Sequence, residues 1–334
     1  MLAVTLPGHR ALGLRMMLVV ILTVVAGLPA AGLAADRVSF RMNWYWRGIQ
    51  APYALALERG YFAQAGLDVE LLEGRGSATT VQLVGTKADT FGFADGFTVM
   101  HNAARGVPVR AVATPINGSS FAIVTLEETG IRTARDLEGR RLGITPGDGH
   151  TQVWPAVVAA SGLQPDRIQL VQMDPRAKGP ALTERRVDAV LGSAADLPVT
   201  LGLRGFRTRV LTFAELGVPA VGFTIITHAD TIRDRPDLVR RLVAASLRGF
   251  EEASREPEAA IRALVRLAPL VDAESARHQL TVDLSFLFSP ANARQRIGYG
   301  PPEDWQATLD LLRRHRGLEG TEPATAFYTN EFLP

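Results

Sequence analysis

Three consecutive aromatics, Trp44-Tyr45-Trp46, follow an early extended run, with Asn43 just before them and Gln50 just after. Two of the chain's four tryptophans stand here. Three adjacent side chains cannot all point into one core. At least one is therefore expected to face a ligand, where an indole stacks on a flat ring for roughly 1–3 kcal/mol. The alternative is that one or two of them plug the end of a sheet. Two glycine loops, Glu73-Gly-Arg-Gly-Ser77 and Thr145-Pro-Gly-Asp-Gly-His-Thr151, lead into helical patterns, one in each half of the chain. Such junctions offer free backbone N–H groups at the positive end of a helix, suited to an oxygen-bearing ligand. Gly76, Ser77, Thr145, Gly147 and Thr151 are the contacts they suggest. Neither loop is a P-loop or a dinucleotide fingerprint. Asp95 ends a strand-like run and either caps the next helix or accepts a hydrogen bond from a ligand amine. Ser193 and Asp196 face the same choice. Asn117, with Ser119 and Ser120, precedes an extended segment where polar side chains would line a cleft floor.

No catalytic constellation accompanies these groups. The histidines are His9, His101, His150, His228, His278 and His315. No pair has metal-ligand spacing, and none lies beside a nucleophile motif. Only His150, inside the second glycine loop, is placed to reach a cleft. The chain has no cysteine, which excludes a disulfide scaffold, a cysteine nucleophile, thiolate metal sites and a lipidated cysteine. The expectation is a binder, with no enzyme activity, metal or cofactor. The net charge of +2 falls to near zero without Arg10 and Arg15, so no nucleic-acid surface is expected. Lys87 and Lys178 are the only lysines among 36 basic residues, a bias that reads as coding composition.

The elements that must position these groups alternate along the chain. Its 334 residues, 47% hydrophobic, suit two lobes of roughly 100–200 residues each. Strands are predicted at 37–42, 67–72, 90–94 and 109–114, with helices at 52–59, 97–104 and from an N-cap at Ser77 to about Lys87. The rhythm restarts with strands at 141–145, 169–173, 187–191 and 209–213, and helices at 151–161, 178–185 and 196–203. Beyond about Asp230 only helices follow, at 236–254, 257–267, 273–288 and 302–316. Extended apolar stretches at 121–126 and 221–227 flank the middle block. The predicted class is α/β, with mainly parallel sheets in two lobes joined by two hinge strands. The first lobe is discontinuous, 35–124 plus 224–334, and 125–223 is inserted. Ligands of such sheets sit at the carboxyl ends of strands, here in the cleft between lobes.

The N-terminus carries an address. Arg10 and Arg15 precede an uncharged apolar run from Met16 to Leu28, then Pro29 and small residues through Ala34. This predicts a cleavable secretory signal at 1–34 and a periplasmic mature chain. The competing reading is a retained membrane anchor, since Met16–Ala35 is about as long as a spanning helix.

The motifs Asn43-Trp44, Gln50-Ala-Pro-Tyr53, Glu58-Arg-Gly-Tyr-Phe62 and Gly66-Leu-Asp-Val-Glu70 come in a fixed order. They are followed by Glu73-Gly-Arg-Gly-Ser77, Val107-Pro-Val-Arg-Ala-Val-Ala113, Asp136-Leu-Glu-Gly-Arg-Arg-Leu-Gly143, Arg186-Val-Asp-Ala-Val190 and Tyr328-Thr-Asn-Glu-Phe332. In that order the chain resembles the substrate-binding proteins of ABC transporters, in the branch similar to thiamine-pyrimidine synthesis proteins and to alkanesulfonate and nitrate binders. The resemblance implies a type II periplasmic binding fold, expected here as a monomer, that closes on a small, pyrimidine-like heteroaromatic solute and presents it to a membrane permease. It implies that Trp44 stacks on the ligand ring; from the aromatic triplet itself, the solute is expected to stack on Trp44 or Trp46. A histidine typical of the family falls where this chain has Gln50, which keeps hydrogen bonding but loses a titratable ring. Yeast-type enzymes of the family carry a cysteine-rich iron motif, which this cysteine-free chain lacks, so synthase activity is not carried over. The alternatives are an alkanesulfonate or other small anion as solute, a pyrimidine-processing enzyme outside the cytoplasm, or a signalling receptor in place of the permease.

Overall fold

Strand and helix patterning along the chain resolves into two five-stranded sheets in a computed structural model that describes residues 1–3, 35–292, 294 and 296–334. Residues 4–34 of the proposed signal segment lie outside the described residues. The body from Asp36 to Pro334 is one unit, and the account below concerns it alone.

In chain order the strands are β1 (Asp36–Arg41), β2 (Leu67–Leu72), β3 (Phe91–Asp95), β4 (Val109–Ala113) and β5 (Phe121–Leu126). They continue with β6 (Arg141–Ile144), β7 (Gln169–Gln172), β8 (Ala189–Ser193), β9 (Thr208–Thr212) and β10 (Phe223–His228). One sheet has the order β2-β1-β3-β10-β4 and the other β7-β6-β8-β5-β9. In each, a single strand runs against the rest: β10 is antiparallel to β3 and β4, and β5 to β8 and β9. The sequence pattern follows position. β2, at an edge, alternates buried Leu67, Val69 and Leu71 with exposed Asp68 and Glu70, whereas the inner strands β3, β5, β8 and β10 are buried along their whole length.

The helices in the first half are α1 (Ala51–Glu58), α2 (Tyr61–Gln64), α3 (Ser77–Gly85), α4 (Gly96–Ala103), α5 (Gly149–Ser161), α6 (Lys178–Thr183) and α7 (Leu197–Leu203). The C-terminal set is α8 (Ala229–Asp234), α9 (Pro236–Arg255), α10 (Pro257–Leu267), α11 (Ala273–Leu284) and α12 (Pro302–Arg316). Proline in the first turn starts α1, α9, α10 and α12, where its missing N–H would be unpaired anyway. α9 buries Leu242, Val243, Leu247 and Phe250 on one face and packs on α1. Tyr53 ties these layers together, with ring centroids 5.0 Å from Phe40, 5.1 Å from Phe93 and 5.2 Å from Phe250. The C-terminal helices thus complete the lobe that the N-terminal strands began.

The chain passes between lobes twice, over 114–120 and 213–222. The stretches at 121–126 and 221–227, read as hinges, lie mostly inside the sheets as β5 and β10. The crossings themselves are the shorter pieces beside them. These crossings hold each other: Gly118 bridges Val221, the Gly222 N–H donates to the Asn117 carbonyl at 2.8 Å, and a Cβ on Gly222 would lie 2.3 Å from the Gly118 oxygen.

Three local expectations differ. Ser77 is the first residue of α3 rather than its N-cap, because Gly76, at φ +123°, turns the chain into the helix. The helix expected to run to Phe288 ends at Leu284, because the Phe286 and Leu287 carbonyls instead accept from the N–H groups of Gly118 and Asn117. The strand expected at 187–191 lies at 189–193, since the Asp188 side chain binds Arg141 while β8 pairs with β5 from Ala189 to Ser193.

Candidate ligand-binding site

The carboxyl ends of β1, β3, β6 and β8 all open toward the gap between the lobes, and their loops make its walls. Trp44, Tyr45 and Arg47 come from the loop after β1, Ser77 from the start of α3, and Phe223 from β10. Asp148 and His150 come from the loop and helix after β6, Lys178 from α6, and Ser193 and Asp196 from the end of β8. The lobes are closed on one another. The Ala78 N–H donates to the Gly147 carbonyl at 3.3 Å, and the space left inside is about 30 Å³, room for one water. A ring needs the lobes to part.

The aromatic triplet is shared between compartments. Trp44 is 7% exposed and faces the inner cavity, with its indole 5.9 Å from the Lys178 ammonium. Tyr45 stands at the mouth, donating to Asp196 at 3.4 Å. Trp46 faces an outer groove and does not line the inner cavity. Phe121 and His150, with ring centroids 4.2 Å apart, and Phe223 make the rest of an aromatic box around the cavity.

Charge in this box is matched. Lys178, 3% exposed, donates to Asp148 at 2.8 Å and to the Leu191 carbonyl at 2.7 Å. Burial opposes ionisation of Asp148, but the neighbouring Lys178 ammonium and His150 outweigh it and hold its carboxyl below the usual range. Asp148 also caps α5 by accepting from the Thr151 N–H at 2.7 Å. The buried Arg47 lies 3.3 Å from Asp283. Burial raises the Asp283 pKa to about 7; Arg47 opposes the shift and Asp196 adds to it. Two further polar groups are left over. The Oδ2 of buried Asp95 and both ring nitrogens of His150 have no hydrogen-bond partner among the described residues, although His150 Nδ1 comes within 3.3 Å of Asp148.

Asp283 carries a pH prediction. Folded, it holds its proton up to about pH 7, against 3.8 for an ordinary aspartate. Between those values the folded chain keeps a proton that the unfolded chain has lost, so stability from this group falls as pH rises and levels off above about 7. Asp148 acts oppositely, in a more acid window, its contribution being lost as pH falls. Asp283→Asn is expected to flatten the loss of thermal stability between pH 4 and 7 that the parent shows. Identical slopes in the two proteins would refute the assignment.

Of the residues singled out in the sequence, Asn43, Trp44, Ser77, His150, Ser193 and Asp196 line the inner cavity. Asp95 lies behind Ser77, whose hydroxyl accepts from the Asp95 N–H, and it caps α4 through the Thr98 N–H at 2.8 Å. Gly76 and Gly147 face each other across the cleft, and a Cβ on Gly76 would lie 2.4 Å from the Gly147 oxygen. The others are not walls. Gln50 is fully buried; it accepts from the Arg47 N–H and donates to Asn43 Oδ1, so it positions those two residues. Asn117 sits in the crossing, bonded to the Tyr299 carbonyl and to Asn292. Thr145 and Thr151 brace their own loop, through the Met173 and Thr145 carbonyls respectively. The sequence reading missed Arg47, Phe121, Lys178 and Phe223. The signal for Lys178 was available, as one of two lysines in an arginine-rich chain, but it was read as composition.

Fold and cleft together define a substrate-binding protein of the ABC-transporter type. The chain belongs to the NMT1/THI5-like family, whose model matches residues 50–260. It is 27% identical over 318 residues to the riboflavin-binding protein RibY of Chloroflexus aurantiacus, covering 92% of this chain and 89% of that one. It is 22% identical to the formylaminopyrimidine-binding protein of Halalkalibacterium halodurans, over 86% of this chain and 87% of that one. Among solved structures, the alkanesulfonate-binding protein SsuA of Xanthomonas axonopodis pv. citri, bound to MOPS, is similar in fold. The TM-score is 0.66 at 18% identity, covering 90% of this chain and 99% of that one. Among the described residues no helix is long and apolar enough to cross a membrane, and no cluster of three or more His, Cys, Asp or Glu is placed to hold a metal ion.

Proposed function

We propose that the chain captures a neutral heteroaromatic solute, pyrimidine-like or flavin-like, and hands it unchanged to a membrane permease. In this reading the lobe of residues 35–124 and 224–334 swings against the inserted lobe of 125–223, and residues 1–34 direct export. The carrying observation is a cleft with aromatic walls whose charges are already matched. Trp44, Phe121, His150 and Phe223 offer ring faces, while the unpartnered His150 nitrogens offer hydrogen bonds to ring substituents. A sulfonate would find Lys178 engaged by Asp148 and Arg47 in the field of Asp196, so its charge would meet like charge. The names of the riboflavin-binding and formylaminopyrimidine-binding relatives point the same way.

Stacking on Trp44 is worth on the order of 1 kcal/mol or more, about a fivefold change in affinity. Calorimetry on Trp44→Ala with riboflavin and formylaminopyrimidine is expected to show at least that loss for whichever binds, in a protein that still unfolds cooperatively. Unchanged affinity would remove Trp44 from the site. Binding of taurine or MOPS in preference to either ring would overturn the reading, as would recovery of the solute in altered form.

A further inference from the structure

Resting on the reading that a ring enters the inner cavity, we propose that the groove outside it is a second compartment of the same site, shaped for a neutral polyhydroxylated tail on that ring. The two spaces adjoin across one wall: Tyr45, Arg47, Pro175, Asp196 and Leu197 line both. The outer one holds about 790 Å³, within the range of pockets that enclose a whole small ligand. Ser77, Gly149, Phe121 and Phe223 line the inner cavity and not the groove. A substituent longer than the ring therefore leaves past Tyr45.

The partition there is weak. The Tyr45 hydroxyl reaches Asp196 at 3.4 Å, well beyond the 2.7–2.8 Å of a good O–H···O bond. A ligand hydroxyl could take over either end of that contact without loss. The other Asp196 oxygen accepts from Gln279 Nε2 at 3.0 Å, so the carboxylate stays in place when Tyr45 yields.

The chemistry of the groove selects the tail. Trp46 supplies an apolar wall, and Thr200, Ser275 and Gln279 supply groups that donate and accept. Two of its three arginines stand beside acids: Arg176 is 3.6 Å from Glu73 and lies over the Tyr45 ring at 5.1 Å, and Arg47 is 3.3 Å from Asp283, while Arg204 lies over the Phe206 ring at 5.8 Å. A phosphate or carboxylate tail would meet an acid beside Arg47 and beside Arg176, and the acids lining the groove, Glu73, Asp196 and Asp272, equal its arginines in number. A chain of hydroxyls, each both donor and acceptor, meets no such conflict.

The test uses the full chain and three probes: riboflavin, lumiflavin (the same ring with a methyl in place of the ribityl tail) and formylaminopyrimidine. Riboflavin is expected to bind about tenfold more tightly than lumiflavin, the worth of one or two added hydrogen bonds. Thr200→Phe, which fills the groove, is expected to abolish that difference and leave lumiflavin binding unchanged. Arg176→Ala, at an exposed position that does not threaten folding, is expected to narrow it. Equal binding of the two flavins by the parent, or an equal loss for both in the variants, overturns the second compartment. Binding of formylaminopyrimidine but neither flavin overturns it while leaving the heteroaromatic reading intact. Failure of all three overturns both.

Discussion

Lys178→Met is expected to destabilise the protein by about 3–5 kcal/mol, the usual cost of removing one partner from a buried ion pair. Methionine matches the length of the side chain, so little packing is lost. What remains is Asp148, 1% exposed, with its counter-charge gone and the Leu191 carbonyl stripped of its donor. Asp148 cannot retreat to solvent, because its other oxygen caps α5. Its recourse is to take up a proton, so the variant should recover part of its stability in acid, the reverse of the parent's behaviour at this residue. Lys178→Met combined with Asp148→Asn should restore most of the loss, since asparagine still caps the helix and carries no charge. Thermal unfolding of the single and double variants at pH 5 and 8 measures both effects. A single variant as stable as the parent at pH 8 would show that the pair does not hold this wall of the cleft together.

Gly149→Ala is expected to weaken solute binding by roughly tenfold or more, a change of about 1.4 kcal/mol or greater, while leaving each lobe folded. The added Cβ would lie 2.2 Å from Asp95 Oδ2, which belongs to the opposite lobe and is fixed by its cap on α4. It would also press on the Phe121 ring edge at 2.7 Å, which turns more readily. Gly149 opens α5, where alanine is the better helix former, so the lobe carrying the change does not suffer. The obstruction falls on closure. Gly76→Ala would block the same motion but adds strain at φ +123°, so it is the poorer probe. Small-angle scattering with added solute should show the Gly149→Ala protein more expanded than the parent. Parental affinity with parental compaction would mean that Asp95 and Gly149 do not define the closed state.

Much of the fold was legible because local rules and global packing agree. β2 follows strict alternation, and α10 and α12 start at prolines and were bounded correctly at both ends. Legibility failed where a backbone group is claimed by a distant segment, as with Phe286 and Leu287, whose carbonyls serve the crossing. The site was half legible. Adjacent aromatics and glycine loops announce a cleft, and both lobes do bring them to it. Which atoms face inward depends on partners far along the chain. Gln50 is turned inward by Arg47 and Asn43, and Asn117 is taken by Asn292, pairings that no local pattern announces. Lys178 becomes meaningful only when α6 is laid against the loop carrying Asp148.

The bridge between Gly118 and Val221 constrains how the molecule can move. Two crossing segments laced together at this point favour a common axis of swing over independent shear or twist of the halves. Few degrees of freedom are then given up when the jaws shut, and more of the contact energy at the solute appears as affinity.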